Sequence, residues 1–279
     1  MRPWQELAAT LAREPAVLVT VAQVQGSGPR EVGAWMAVTA AGFVGTIGGG
    51  HLEFEGLAQA RALLARARSG ELPAVAEHRY ALGPSLGQCC GGVVHLRYEL
   101  LGPADIAGLR QRLGGEAGWM PVALFGGGHV GRAIVEVLAR LPMRVHWIDS
   151  RDEVFPTPLP DNCRAEYSDP VHAAVQDLAP EAHVLIMSFS HAEDLDIVAA
   201  CLQRQRERGD LPFVGLIGSK SKWASFRQRL IARGFAEAEL AHITTPIGVA
   251  GIAGKQPEVI AVAVAAQLLM RSAHARGGA

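Results

Sequence analysis

Along the first hundred residues, apolar positions switch repeatedly between strand and helix spacing. Residues 4–13 set Trp4, Leu7, Ala8 and Leu11 on one helical face. Residues 16–24 are rich in β-branched side chains and predict a strand, which Gly26-Ser27-Gly28-Pro29-Arg30 breaks. A hairpin is predicted over 34–39 and 43–47 around Ala40-Ala41-Gly42. After Gly48-Gly49-Gly50 a helix runs to about Arg68, with Leu57, Ala60, Leu64 and Ala67 at helical spacing. Strands at 75–82 and 93–100 flank a loop containing Gln88-Cys89-Cys90-Gly91-Gly92. This mixture predicts an α+β domain over 1–103.

Residues 104–118 are punctuated by glycine and hold one short helical pattern, 106–113, so they read as a linker. Beyond it, over 119–279, strand and helix alternate. Apolar strands at 121–125, 144–148, 183–187 and 213–217 are separated by helical patterns, the arrangement of a parallel, doubly wound sheet. The helix at 129–141 turns Val130, Ile134, Val137, Leu138 and Leu141 to the sheet. The last helix, 258–271, is apolar nearly all round and is expected to be buried. The fold class is therefore α/β: an N-terminal α+β domain followed by a Rossmann-like domain with a doubly wound parallel sheet.

Composition narrows the function. The chain has 279 residues, is 49% hydrophobic and carries a formal net charge of -1. Such a balance supports a sizeable core and lacks the basic field that nucleic-acid or membrane-surface binding requires. No nucleic-acid or membrane partner is expected. The stretch 259–270 is too short to span a bilayer, and the N-terminus has no continuous apolar run of the signal-peptide kind. The four cysteines, Cys89, Cys90, Cys163 and Cys201, contain no C-x-x-C pair, and a disulfide between neighbours would be strained. Reduced thiols imply a cytoplasmic setting.

Several motifs carry chemistry. Gly126-Gly127-Gly128-His129-Val130-Gly131 fits G-x-G-x-x-G, follows a strand, opens a helix and has Asp149 at the end of the next strand. That context is the dinucleotide fingerprint: Gly126, Gly128 and Gly131 let the backbone approach a pyrophosphate at a helix N-terminus. Asp149 would then take a ribose hydroxyl, and Arg151 a 2′-phosphate. The plain alternative is a turn that serves packing and holds no nucleotide. Ile217-Gly218-Ser219-Lys220-Ser221-Lys222 also joins a strand to a helix, with Ser219 as cap and Lys220 and Lys222 as positive charge. It reads equally as an anion site or as a capped helix with solvated lysines. Gly254-Lys255 is no P-loop, because Val249 stands where its first glycine belongs.

His51-Leu52-Glu53 has the H-x-E of zinc deaminases without any P-C-x-x-C partner, so the two read as a partly buried hydrogen-bonding pair or as helix-start residues. His191, Glu193, Asp194 and Asp196 open another helix and read as N-terminal charge. No G-x-S-x-G nucleophile elbow occurs. A thiol in the glycine-rich loop at Cys89 and Cys90 can be presented to a bulky ligand, and soft thiolates suit soft metals and sulfur transfer. The plain alternative is two small apolar residues in a turn.

Five segments together resemble the XdhC family of xanthine dehydrogenase accessory proteins. They are Gly45-Thr46-Ile47-Gly48-Gly49-Gly50-His51-Leu52-Glu53-Phe54-Glu55, the Gln88 to Gly92 loop, the Phe125 to Gly131 turn, Gly215 to Lys220, and Pro246-Ile247-Gly248 through Glu258. The likeness covers nearly the whole chain. It is similar to the XdhC branch more than to the wider XdhC/CoxI group, where a cysteine is expected in place of His51. The resemblance implies a chaperone that binds molybdenum cofactor (a pterin dithiolene carrying molybdenum and a phosphate). It implies protection of that cofactor while a cysteine desulfurase installs the terminal sulfido ligand, then delivery to the molybdenum subunit of xanthine dehydrogenase, with no catalysis by the chaperone. It also implies that a cysteine of the Cys-Gly-Gly loop holds the cofactor, Cys90 first, as ligand to the molybdenum, and Cys89 second, beside Gly91 and Gly92. A homodimer is expected by likeness to dimeric carriers. The alternative is an NAD(P)-dependent oxidoreductase built on Gly126, Gly128, Gly131 and Asp149.

Overall fold

A computed structural model describes residues 3–68, 75–82, 91–114 and 118–277, which fall into two compact units, 1–115 and 116–279.

In the first unit the chain runs α1 (Pro3–Leu11), β1 (Ala16–Gln25), β2 (Trp35–Val38), β3 (Phe43–Gly45), α2 (Gly50–Arg68), β4 (Val75–Ala81), β5 (Val93–Leu101) and α3 (Ile106–Leu113). The strands form one antiparallel sheet in the order β3-β2-β1-β5-β4. Alternation along β1 and β5 decides what each face meets. Val17, Val19, Val21, Val94 and Leu96 bury against Leu52, Ala60, Leu63 and Leu64 of α2. Leu18, Ala37 and Leu101 bury on the opposite face against Leu7, Leu11 and Leu109 of α1 and α3.

The linker expected at 104–118 is corrected by this packing. Its helix, α3, buries Leu109 and rests Ile106 and Leu113 on the cluster that holds Leu7 and Leu11, so the first unit extends to Gly115. Apolar residues at i, i+3 and i+7 made α3 part of a core.

The second unit runs β6 (Met120–Phe125), α4 (His129–Leu138), β7 (Met143–Asp149), β8 (Cys163–Tyr167), β9 (His183–Ile186), α5 (His191–Arg208), β10 (Phe213–Leu216), α6 (Lys220–Ala232), α7 (Glu237–Leu240), β11 (Ile243–Thr244) and α8 (Pro257–Gly277). Its sheet is parallel throughout, in the order β11-β10-β9-β6-β7-β8. Strand order reverses between β6 and β9, which is the switch point where a doubly wound sheet opens a crevice at its carboxyl ends. Helix α8 buries Ala261, Val264 and Leu268 but leaves Val262 and Met270 more than half exposed, so one face of that helix is not covered as its all-round apolar pattern had suggested.

Candidate functional site

In the first unit, chain direction collects the glycine-rich segments at one end of the sheet. Strand β1 finishes at Gln25, opposite Val93 at the start of β5, and β4 finishes at Ala81, opposite the same Val93. Gly45 at the end of β3 lies opposite Met36 at the start of β2. The turn 26–34, the run 46–50 and the pair Gly91-Gly92 therefore share that end. Cys89 and Cys90 lie outside the described residues.

Close approaches tie these segments together. A Cβ added at Gly92 would stand 2.1 Å from the Ser27 carbonyl oxygen and 2.8 Å from that of Gln25. The Gly92 carbonyl also accepts the Leu82 N–H at 2.7 Å. On the other side of the turn, a Cβ at Gly48 would lie 2.6 Å from Pro29 Cβ. Gly92 thus packs on the backbone, and Gly48 on the Pro29 and Arg30 side chains, of the same Gly26–Arg30 turn. Gly91 and Gly49 differ, because no described residue lies within 4 Å of their Cβ directions.

Glu53, expected at the helix start or paired with His51, instead clasps the run. One of its oxygens, Oε2, accepts from Thr46 Oγ1 at 2.5 Å, the Ile47 N–H at 3.0 Å and the Gly49 N–H at 3.2 Å. Arg30 supplies positive charge beside Gly48 and forks onto Glu31 at 2.9 and 3.1 Å. That pairing holds the Glu31 carboxyl down at about 2. Sequence reasoning treated 26–30 merely as a strand break; five turn-forming residues ending in an arginine were the available signal.

In the second unit the crevice end gathers the other expected residues. Gly126 and Gly131 serve packing: a Cβ on Gly126 would meet the Met187 carbonyl oxygen at 2.1 Å, and one on Gly131 the Gly126 carbonyl oxygen at 2.0 Å. Gly128 precedes α4 with open space around it. Asp149 sits at the end of β7 as predicted, but its oxygens are engaged. Oδ2 accepts the Gly127 N–H at 2.6 Å and Arg151 Nη2 at 3.0 Å; Oδ1 accepts Arg151 N and Nε, both at 2.9 Å. The carboxylate is 2% exposed. Arg151, expected to face a phosphate, is the residue that covers it.

Two further contacts cross the mouth. Ser150 Oγ donates to Glu193 Oε1 at 2.7 Å, and the Arg151 guanidinium lies 4.4 Å from the centre of the Phe189 ring. Because β6 lies between β7 and β9, both contacts pass across the end of β6 where the glycine turn begins. Asp194 proves to be more than N-terminal charge. It is buried, accepts the Ser188 N–H and hydroxyl at 2.8 Å, and pairs with Lys222 Nζ at 2.5 Å. Ser219 caps α6 by accepting the Lys222 N–H at 3.2 Å, while Lys220 remains exposed at the helix start.

A family model of the XdhC Rossmann domain matches residues 122–268, and one of the XdhC and CoxI family matches 9–77. The chain belongs to the XdhC family. Both matches fall on the segments just described: the glycine run and Glu53 in the first XdhC unit, the crevice turns in the second. A curated relative, the uncharacterized protein YqeB of Escherichia coli strain K12, is 28% identical over 270 residues. That match takes in 95% of this XdhC chain and 45% of YqeB, so the chain spans about half the length of its relative. Among solved structures, one described as a xanthine dehydrogenase (BH1974) from Bacillus halodurans superposes with a TM-score of 0.75 at 20% identity, covering 99% of this chain and 97% of the other. It shares the fold. Among the described residues, no helix is long and apolar enough to cross a membrane, and no cluster of three or more His, Cys, Asp or Glu could hold a metal ion.

Proposed function

We propose that this XdhC protein carries molybdenum cofactor. It binds the cofactor in the cytoplasm and shields it while a cysteine desulfurase supplies the terminal sulfido ligand. It then delivers the cofactor to the apo form of the xanthine dehydrogenase molybdenum subunit. It performs no turnover of its own and acts as a homodimer.

The observation that supports this is the convergence of Gly48 and Gly92 on the Gly26–Arg30 turn at one end of the sheet; Cys89 and Cys90 precede Gly91-Gly92 in the sequence. A soft thiolate from Cys90 suits molybdenum or its sulfur. In the second unit Gly128, Ser219 and Lys220 offer helix starts to an anion. A nicotinamide dinucleotide fits the crevice less well, because a ribose hydroxyl at Asp149 would have to displace the Arg151 fork and enter a carboxylate with no exposed edge.

The test is a comparison of Cys90→Ser, Cys89→Ser and parent, each purified from a cofactor-sufficient host. Ligand is identified by mass spectrometry and delivery is read by reconstituting apo-xanthine dehydrogenase. The parent should carry the pterin cofactor, and Cys90→Ser should bind it about ten- to a hundredfold more weakly, as expected on losing one contact to a charged group. Cys89→Ser should do less. A parent that carries no molybdenum cofactor, or a Cys90→Ser variant that delivers it normally, sinks the proposal.

A further inference from the structure

Helix α2 covers the sheet unevenly. On the face it packs against, Val94, Leu96 and Tyr98 of β5 are buried, whereas Ala76, His78 and Tyr80 of the edge strand β4 are only half-buried. The side of α2 toward β4 is polar where a core-facing helix would be apolar. His51, Glu55 and Gln59 recur at i, i+4 and i+8, and only at Leu63 does an apolar residue take up the same line. Strand and helix thus enclose a polar trough, which begins beside the Gly48–Gly50 run and lies along β4, whose last residues lead to Leu82.

The side chains in it are connected. Gln59 Nε2 lies 3.1 Å from His78 Nε2, and the His78 ring stands edge-on to Tyr98 at 5.4 Å between centroids. The Tyr80 and Tyr98 hydroxyls are 2.7 Å apart. Burial raises both phenols, Tyr98 strongly, and the nearby Glu55 charge adds to this, so both stay protonated at physiological pH. Glu55 pairs with His51 through Oε1 at 3.4 Å and makes no other hydrogen bond among the described residues. Phe54, 65% exposed on the adjoining helix surface, lies with its ring 6.1 Å from that of His51 and 32° from parallel to it.

We propose that this trough between α2 and β4 binds the pterin end of the carried cofactor. The inference rests on the carrier reading and adds where, and by which groups, the heterocycle is held. A pterin presents on one edge an adjacent ring N–H and exocyclic amine. A carboxylate with a half-exposed side chain, such as Glu55, accepts both in the way it accepts a guanidinium. The remaining edge offers acceptors, which the Tyr80 hydroxyl and His78 can meet. The flat ring finds aromatic surface on His51 and Phe54. The carboxylate also disfavours the anionic end of the ligand inside the trough.

The experiment uses the full chain from a host unable to make the cofactor, with pterin-6-carboxylate as fluorescent probe. Parent protein should bind it. Glu55→Gln, which keeps the shape and removes the charge, should weaken binding by about tenfold or more, as loss of a charge-assisted pair does. Glu77→Gln, on the opposite face of β4 where it pairs with His95 at 3.3 Å, should bind like the parent. Circular dichroism melts of each variant separate loss of fold from loss of binding. A parent that does not bind the probe, or a folded Glu55→Gln that binds it unchanged, overturns the trough. The carrier reading is judged separately, on protein from a cofactor-sufficient host. If that parent carries molybdenum cofactor while the probe ignores Glu55, the trough fails alone. If it carries none, the carrier reading fails whatever the probe does.

Discussion

Replacing Asp149 with alanine asks whether this carboxylate serves a ligand or the fold. In the structure it accepts four hydrogen bonds, one from the buried Gly127 N–H and three from Arg151. Removing it leaves the Gly127 donor buried without a partner, which costs about 1–3 kcal/mol. Arg151 is 29% exposed and can turn to water, so losing its ion pair adds only about 0.5–1 kcal/mol. The sum, about 2–4 kcal/mol, should lower the melting temperature of the second unit by roughly 5–15 °C, at the 2–4 °C per kcal/mol usual for this size. Differential scanning calorimetry of parent and Asp149→Ala reads this directly. Cofactor loading measured well below the transition should stay near the parental level, since the basic cofactor has no ribose for Asp149 to hold. A transition within about 1 °C of the parent would show that the carboxylate does not hold the glycine turn. Loss of loading with the melting temperature unchanged would instead place Asp149 against the cargo.

Two other expectations follow from the geometry. Gly92→Ala forces a Cβ to within 2.1 Å of the Ser27 carbonyl oxygen and should destabilise by about 1–3 kcal/mol or more in urea unfolding, whereas Gly91→Ala, with open space, should stay within about 0.5 kcal/mol; equal effects would mean the two glycines are not distinguished by packing. Burial pushes the Cys163 thiol up to about 11 and Cys201 up to about 12, and a raised pKa lowers the reactive thiolate fraction at every pH below it. At neutral pH, iodoacetamide should therefore modify Cys163 about a hundredfold more slowly than an ordinary thiol, and Cys201 more slowly still; rapid labelling of either, located by peptide mass spectrometry, would contradict the burial argument.

The long strands and helices were legible because each buries a defined side. β1 shows it in its β-branched run, β6 and β7 in their apolar positions, and α4 in its Val130, Ile134 and Leu138 line. The edge strands of the second unit were not. β8, Cys-Arg-Ala-Glu-Tyr, is only partly buried, and β11 has two residues, so neither imprints a period on the chain. The fingerprint at Gly126–Gly131 and Asp149 correctly gave strand, turn and helix. Whether Asp149 was available depended on how Arg151 turns two residues later, and spacing does not encode a rotamer. Likewise His51, Glu55 and Gln59 stand at helical intervals in plain view, but only the absence of helix cover over β4 makes their line a trough. Asp194 looked like any acid in a first helical turn until Lys222, distant in sequence, folded back onto it.

The contacts from Ser150 to Glu193 and from Arg151 to Phe189 have a bearing on which ligands the crevice admits. A doubly wound sheet with an open glycine turn is a ready site for adenine nucleotides. A chain that spans that turn with its own side chains competes with such nucleotides intramolecularly, at an effective concentration no diffusing metabolite matches. The same crossing makes the fold hard to convert. Turning this crevice into a dinucleotide binder would require freeing Asp149, moving Phe189 and releasing Glu193 together, and each step taken singly leaves the crossing partly in place.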